Sequence, residues 1–313
     1  MAHKKVKANI SYIEPQIFVL EDTQQWLNHL HDEGFVVIGD AISVQDANES
    51  LEMFKNEFTY VSPNFDWNNT ETWTTNNLPM VINKSSVVYN GFGQSDSNWN
   101  LRLKSRVKEA FSHVFETDEL ITSFDGFSLF LSDNQKSLSW LHQDQRPEDT
   151  RLSVQGILNI MDCGIFDAGF ICVPRSHVNY VPEPSNTDWM NIPKDHPFHK
   201  SAVKILAPAR SLILFNSKLV HANIGMAKNH PKELHINRFS AYLTFVPKER
   251  RNQENYMKRI HGYLQGTSCS HFADIFVPKI PTFHIRKKIM SFNNIPPSLT
   301  EYGEIPPERL ELI

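Results

Sequence analysis

Trp140-Leu141-His142-Gln143-Asp144 sets an imidazole and a carboxylate two residues apart, and a second histidine, His221, follows further along the chain. In an extended segment, residues i and i+2 point to the same side, so His142 and Asp144 can address one ion. Two neutral imidazoles and one carboxylate suit a borderline divalent metal such as Fe(II). They lower its charge by one unit and leave positions for a bidentate 2-oxo acid and dioxygen. Alone, the pair is a weak signal. The chain holds 14 histidines, so a later one is nearly guaranteed. The plainer reading is a surface turn in which Asp144 caps the Arg146-Pro147 segment.

The downstream context strengthens the metal reading. Ala209-Arg210-Ser211 is a turn, and Leu212-Ile213-Leu214-Phe215 reads as a buried strand that delivers His221 just beyond its end. Arg238 opens the otherwise apolar run Phe239-Ser240-Ala241-Tyr242-Leu243. A guanidinium there is costly to bury unless paired. The far carboxylate of a 2-oxo dicarboxylic acid would pair it bidentately, with Ser240 on the same face as a further donor. An internal salt bridge from Arg238 to an Asp or Glu is the alternative. Gln155 and Asn159 share a strand face and either could reach such a co-substrate, unless that face is the solvent side.

The elements that must position these groups can be read from periodicity. Trp26, Leu27, Leu30 and His31 have helical spacing, with Asp22 as candidate N-cap. A buried strand is expected at 34–38 and a second helix at 43–58, capped at Ser43. Residues 60–100 carry little periodicity and read as a long loop. A helix is expected at 101–115. Strand signals fall at 124–131, 152–161, 169–173, 202–206, 211–215 and 238–246, punctuated by Gly, Pro, Asn and Asp. The first twenty residues read as an arm or an edge strand. Many short strands without intervening helices predict an antiparallel sandwich or barrel, mostly β with flanking helices. The charge run Lys248-Glu249-Arg250-Arg251 marks a change of character. The reading is one domain over 1–247 and a C-terminal extension over 248–313 that packs on the core or covers the site, with a helix to about residue 264.

Composition excludes several classes. A net charge of −4 over 313 residues gives no basic excess to hold a polyanion, so nucleic acid is not an expected partner. Arg286-Lys287-Lys288 and the 248–251 run are basic clusters that read as solvated faces. Three scattered cysteines, Cys163, Cys172 and Cys269, do not make a disulfide framework, and reduced thiols point to a cytoplasmic location. No apolar run is long enough for a membrane span, and no apolar stretch follows the charged N-terminus as in a signal peptide. Oligomeric state is not legible.

Five blocks, in order, carry a family resemblance. Asp32-Glu33-Gly34-Phe35-Val36-Val37-Ile38, Trp140-Leu141-His142-Gln143-Asp144, Asp167-Ala168-Gly169-Phe170-Ile171-Cys172-Val173-Pro174-Arg175-Ser176-His177, the 209–221 segment, and Arg238-Phe239-Ser240 resemble those of the phytanoyl-CoA dioxygenase superfamily. The resemblance spans about 24–247. It implies a double-stranded β-helix, a jelly-roll of cupin type, in an Fe(II)- and 2-oxoglutarate-dependent dioxygenase. It makes His142, Asp144 and His221 the iron ligands, Arg238 the 2-oxoglutarate clamp and Ser240 its helper. It further implies hydroxylation of a small-molecule substrate by dioxygen, with release of succinate and carbon dioxide. Because Asp144 is present, halogenation, which needs that position vacated, is disfavoured.

Two departures stand out. Arg175 and Arg210 occupy positions where the family has turn glycines, so these turns must avoid positive φ or bear its cost. Arg175 and Trp140 are candidate substrate contacts, Arg175 favouring an anionic substrate if it faces the mouth. Tyr89, Phe127 and the tryptophans of 60–100 either line a pocket or are core. The unmatched 60–100 and 248–313 segments are where substrate choice would reside. Two rivals remain: a zinc hydrolase using the same three ligands, and a non-catalytic binding protein on the same fold.

Overall fold

A computed structural model describes residues 11–132, 140–183, 189–227, 236–280 and 303–313. The basic cluster at 286–288 and the first ten residues of the expected arm lie outside the described residues. The strands are β1 Ser11–Ile13, β2 Ile17–Phe18, β3 Phe35–Ile38, β4 Ser86–Val87, β5 Leu120–Thr122, β6 Phe127–Leu131, β7 His142–Gln143 and β8 Val154–Asn159. There follow β9 Gly169–Cys172, β10 Met190–Asn191, β11 Val203–Ile205, β12 Leu212–Asn216, β13 His221–Ile224, β14 Ile236–Leu243 and β15 Phe245–Pro247. The helices are α1 Thr23–Glu33, α2 Val44–Val61, α3 Asp96–Arg102, α4 Ser105–Phe115, α5 Ser176–Asn179, α6 Phe198–Ser201, α7 Gln253–Leu264 and α8 Pro307–Leu310.

Two sheets carry the fold. One orders β1-β11-β9-β13-β7-β10 and the other β2-β3-β12-β8-β14-β6-β4, while β5 and β15 form a separate pair. Pairing is antiparallel except for β1 with β11 and β2 with β3. The result is the expected jelly-roll: mostly β, with helices packed outside. Side chains alternate across it. Phe35, Val37, Ile157, Ile213 and Phe215 of one sheet meet Phe170, Cys172 and Ile205 of the other inside the sandwich. On the opposite face Val36, Ile38, Leu158, Leu212, Leu214 and Phe239 meet Trp26, Phe54, Phe58, Trp99 and Phe111 from the helices. Central strands buried on both faces read as continuous apolar runs, and this is why they were legible.

The helix termini are mixed. Ser43 caps α2 as expected, in a reciprocal capping box with Asp46. Asp22 occupies the N-cap of α1 as expected, although its side chain makes no capping bond. Gly34 closes α1 in the left-handed conformation (φ 83°), donating its N–H to Leu30 O.

Four expectations about elements need correction. Helix α2 runs on to Val61. The segment 60–100 is not a bare loop: it holds short 3₁₀ turns, β4 and most of α3. Phe65, Trp67 and Trp73 pack with one another, and Phe65 and Trp67 also pack on Phe58 of α2. The helix expected at 101–115 is two helices broken at Leu103-Lys104. The 238–246 strand likewise divides at Thr244, where the chain leaves the large sheet to pair with β5.

Arg175 (φ 65°) and Arg210 (φ 66°) both keep the left-handed backbone that glycine would favour. Each such residue costs about 1–3 kcal/mol. Each also gains an ion pair: Arg175 with Glu33 at 2.7 Å and Arg210 with Asp40 at 2.6 Å. No helix among the described residues is long and apolar enough to cross a membrane.

Candidate metal centre

β7 and β13 are neighbours, and their register sets His221 opposite His142. This corrects the placement of His221. It does not trail the β12 strand but opens a strand of its own in the other sheet. Asp144 follows β7 directly, its N–H bonded to Ser217 O. His142 Nε2 lies 3.3 Å from Asp144 Oδ1, and His221 Nε2 lies 3.2 Å from Asp144 Oδ2. Ligand atoms of all three residues fall within 4.8 Å of one another. Cis ligands of one ion, at bonds of about 2.1 Å, stand about 3 Å apart.

Hydrogen bonding fixes what these atoms offer. His142 Nδ1 donates to Trp140 O at 2.9 Å, and His221 Nδ1 donates to Leu219 O at 2.8 Å. In each neutral ring the lone pair is therefore on Nε2, aimed at the carboxylate. Two lone pairs and an anion converge on one point with no proton of their own to share. A cation between them satisfies that arrangement, so the residues fit a divalent metal. Gln155 Nε2 donates to Asp144 Oδ2 at 2.8 Å and orients the carboxylate. Burial opposes ionisation of Asp144, but positive charge on His271 and His142 and hydrogen bonds from His142 and His221, in the protonated form of those rings, hold its carboxyl well below the usual carboxylate range. Trp140 stacks on the His142 ring, with centroids 4.5 Å apart, and its indole N–H donates to Asn223 O.

Arg238 and Ser240 stand on the same face of β14 as Tyr242. Arg238 is buried, and its Nη1 donates to Asn223 Oδ1 at 2.6 Å. Asn223 in turn donates to the Tyr242 hydroxyl. Arg238 Nη2 and Ser240 Oγ are both buried without a hydrogen-bond partner. Burial pushes the Arg238 guanidinium below its usual value, and no carboxylate among the described residues neutralises it. The internal salt bridge weighed for Arg238 is thus absent there. A buried cation with an open donor beside an open hydroxyl fits a carboxylate supplied from outside the chain.

The centre opens into a cavity of about 1060 Å³, lined among others by Trp140, His142, Asp144, Gln155, His221, Asn223 and Tyr242. Its walls also draw on Ile82, Asn83, Ser86 and Tyr89 from one side and residues 270–280 from the other. Gln155 and Asn159 are both buried rather than facing solvent. Gln155 reaches Asp144, whereas Asn159 turns to Ala207 O. Phe127 is core, Trp67, Trp73 and Trp99 pack on it, and Tyr89 is the aromatic of that group that reaches the cavity. Arg175 is outside the lining and pairs with Glu33.

Three contributors went unread in the sequence. Asn223 and Tyr242 each lie two residues beyond a named site residue, and the period of a strand was signal enough to find them. His271 carried no local signal, since it arrives by long-range packing.

No family model matches the chain. A curated relative from Aspergillus versicolor, the Ava biosynthesis cluster protein O, is 28% identical over 263 residues, covering 75% of this chain and 82% of the relative. Among solved structures, the non-heme alpha ketoglutarate dependent carbocyclase SnoK from nogalamycin biosynthesis matches with a TM-score of 0.52 at 8% identity, over 74% of this chain and 86% of that chain. The epimerase SnoN, in complex with Fe3+, alpha ketoglutarate and nogalamycin RO, matches with a TM-score of 0.50 at 13% identity, over 83% of this chain and 96% of that chain. The shared feature is the fold: the chain has the mostly β, jelly-roll architecture of these enzymes.

Proposed function

We propose that this chain is an Fe(II)- and 2-oxoglutarate-dependent dioxygenase that hydroxylates a small-molecule substrate. The observation that carries the reading is the convergence of two Nε2 lone pairs and the Asp144 carboxylate, with the open donors of Arg238 and Ser240 along the same interior. His142, Asp144 and His221 would hold the metal. Arg238 and Ser240 would hold the far carboxylate of 2-oxoglutarate, with Asn223 orienting the guanidinium. When bound, metal and co-substrate together supply the oxidation of a C–H bond by dioxygen, with succinate and carbon dioxide released. The protein's part is to fix the two imidazole tautomers, keep Asp144 ionised, and hold the substrate in the cavity beside them. SnoN and SnoK catalyse epimerisation and carbocyclisation on the same fold. Asp144 occupies the carboxylate position, and hydroxylation is the outcome we assign.

The cavity walls from the 60–100 and 248–313 segments are where substrate choice would be made, on a core domain over 1–247 with 248–313 as an extension. Three buried, unpaired cysteines support a cytoplasmic location. The relative's place in a biosynthesis cluster supports a small-molecule substrate.

The test is metal analysis with 2-oxoglutarate titration, followed by succinate measurement. Fe(II)-dependent 2-oxoglutarate binding is expected, and Arg238→Ala should weaken it at least about 100-fold, the loss of two charge-assisted bonds. Metal binding without 2-oxoglutarate binding would return the zinc-hydrolase reading, and neither would return the non-catalytic one.

A further inference from the structure

Residues 268–279 form a closed hairpin over the cavity. Ser270 N donates to Val277 O at 3.0 Å, Lys279 N donates to Ser268 O at 2.8 Å, and Cys269 bridges Pro278. The hairpin is fastened to the core at its base and near its tip. Cys269 N donates to Phe124 O at 2.8 Å, Gly93 N donates to Ser268 Oγ at 2.9 Å, and Asp274 pairs with Arg151 at 2.7 Å. This fastening sets Ser270 and His271 into the cavity wall beside the metal centre. Both present a buried polar atom with no partner: Ser270 Oγ and His271 Nε2. His271 is not one of the three clustered ligands. Two adjacent open hydrogen-bonding groups on a braced hairpin are a binding surface awaiting its complement.

The rest of the wall describes that complement. Each cation lining the cavity already has its carboxylate: Arg146 with Glu148, Arg151 with Asp149 and Asp274, Lys279 with Asp125. Among the described residues, no lining Lys or Arg is left without a carboxylate to recognise an anionic substrate. Around the mouth, Trp189, Ile275, Val277 and Ile280 are exposed apolar side chains. A clustered apolar rim of this kind marks a binding surface. The volume lies at the upper end of ordinary ligand pockets, about 300–1,000 Å³.

We propose that His271 and Ser270 are substrate-binding residues that hold a carbonyl or amide of a neutral, largely apolar molecule of drug-like size, and that this hairpin is the specificity element. The proposal rests on the oxygenase reading for the reaction but not for the binding. The test uses three matched probes: 2-quinolone (neutral lactam), naphthalene (apolar) and 2-naphthoate (anionic). Each is titrated by ligand-observed NMR into the full chain, bare and then saturated with Zn(II) and 2-oxoglutarate. In both states 2-quinolone should bind about five-fold or more tightly than naphthalene, the yield of one or two neutral hydrogen bonds. In the loaded chain it should also bind tighter than 2-naphthoate. His271→Phe should bring the quinolone-to-naphthalene ratio close to one, and Ser270→Ala should lower it in part. The proposal is overturned by 2-naphthoate binding best to the loaded chain. It is overturned equally by no preference for the lactam in the wild type, or by a ratio unchanged in both variants. Failure to load Zn(II) and 2-oxoglutarate while the lactam preference persists would sink the oxygenase reading and leave this one standing.

Discussion

Gln155 decides how Asp144 presents its oxygens, because its amide donates to Oδ2 and also to Ser217 Oγ. Replacing it by leucine removes a partner of Asp144 without touching the three residues that would hold the metal. Gln155→Leu should therefore weaken metal affinity by about ten-fold or more while the fold persists, read by metal titration alongside thermal melting. At this scale the sequence was informative wherever chemistry follows the period of a strand. His142 with Asp144, and Arg238 with Ser240, were found because each pair is two apart. His221 was placeable as a ligand but not as the residue facing His142, since pairing between β7 and β13 is a property of the assembled sheet. The orientation of each imidazole by the carbonyl two residues back is equally a product of folding.

Among elements, the joint between α1 and β3 is tightly packed. A Cβ on Gly34 would meet His177 Nδ1 at 2.5 Å and Leu219 Cδ1 at 2.7 Å, at a φ that L side chains disfavour. Gly34→Ala should cost at least ~1 kcal/mol from backbone strain alone, and more from the clash, seen as a lower denaturant midpoint. In α2, burial pushes the Glu57 carboxyl above its usual value, opposed by the bonds from Ser97 N–H and Oγ–H. A carboxyl whose folded pKa exceeds its unfolded one favours the folded state while protonated, and that advantage is lost as pH rises through the folded value. Glu57→Gln should raise the melting temperature at pH 7, and the gain should vanish below about pH 3, where the acid is protonated in both states. Strands buried on both faces, such as β8 and β12, were legible because a short, sustained apolar run between turn residues has to be shielded from water on every side. Residues 60–100 were not, because their turns are held by Phe65 and Trp67 packing on α2, with Trp73 packed on both, rather than by any periodicity of their own. Two-residue strands such as β7 and β10 are too short to print a pattern.

Across the whole molecule, the C-terminus is tied back into the middle of the chain. Arg259 is fully buried, donating from Nε to Ile313 O and from Nη2 to Thr122 O, both at 2.6 Å. Arg259→Met keeps the volume but leaves those carbonyls unsatisfied, so it should cost about 3 kcal/mol in urea unfolding and loosen the hairpin at 268–279. The same tie shows how this architecture can diversify. The imidazoles of His142 and His221 each take their direction from a carbonyl two residues back, whereas part of the cavity wall comes from a separate stretch at 270–280. Under the proposed reading, reactivity and selectivity would reside on segments that can mutate independently. A gene of this architecture could then exchange one molecular target for another through changes in a dozen hairpin residues, with the His142, Asp144 and His221 cluster inherited intact.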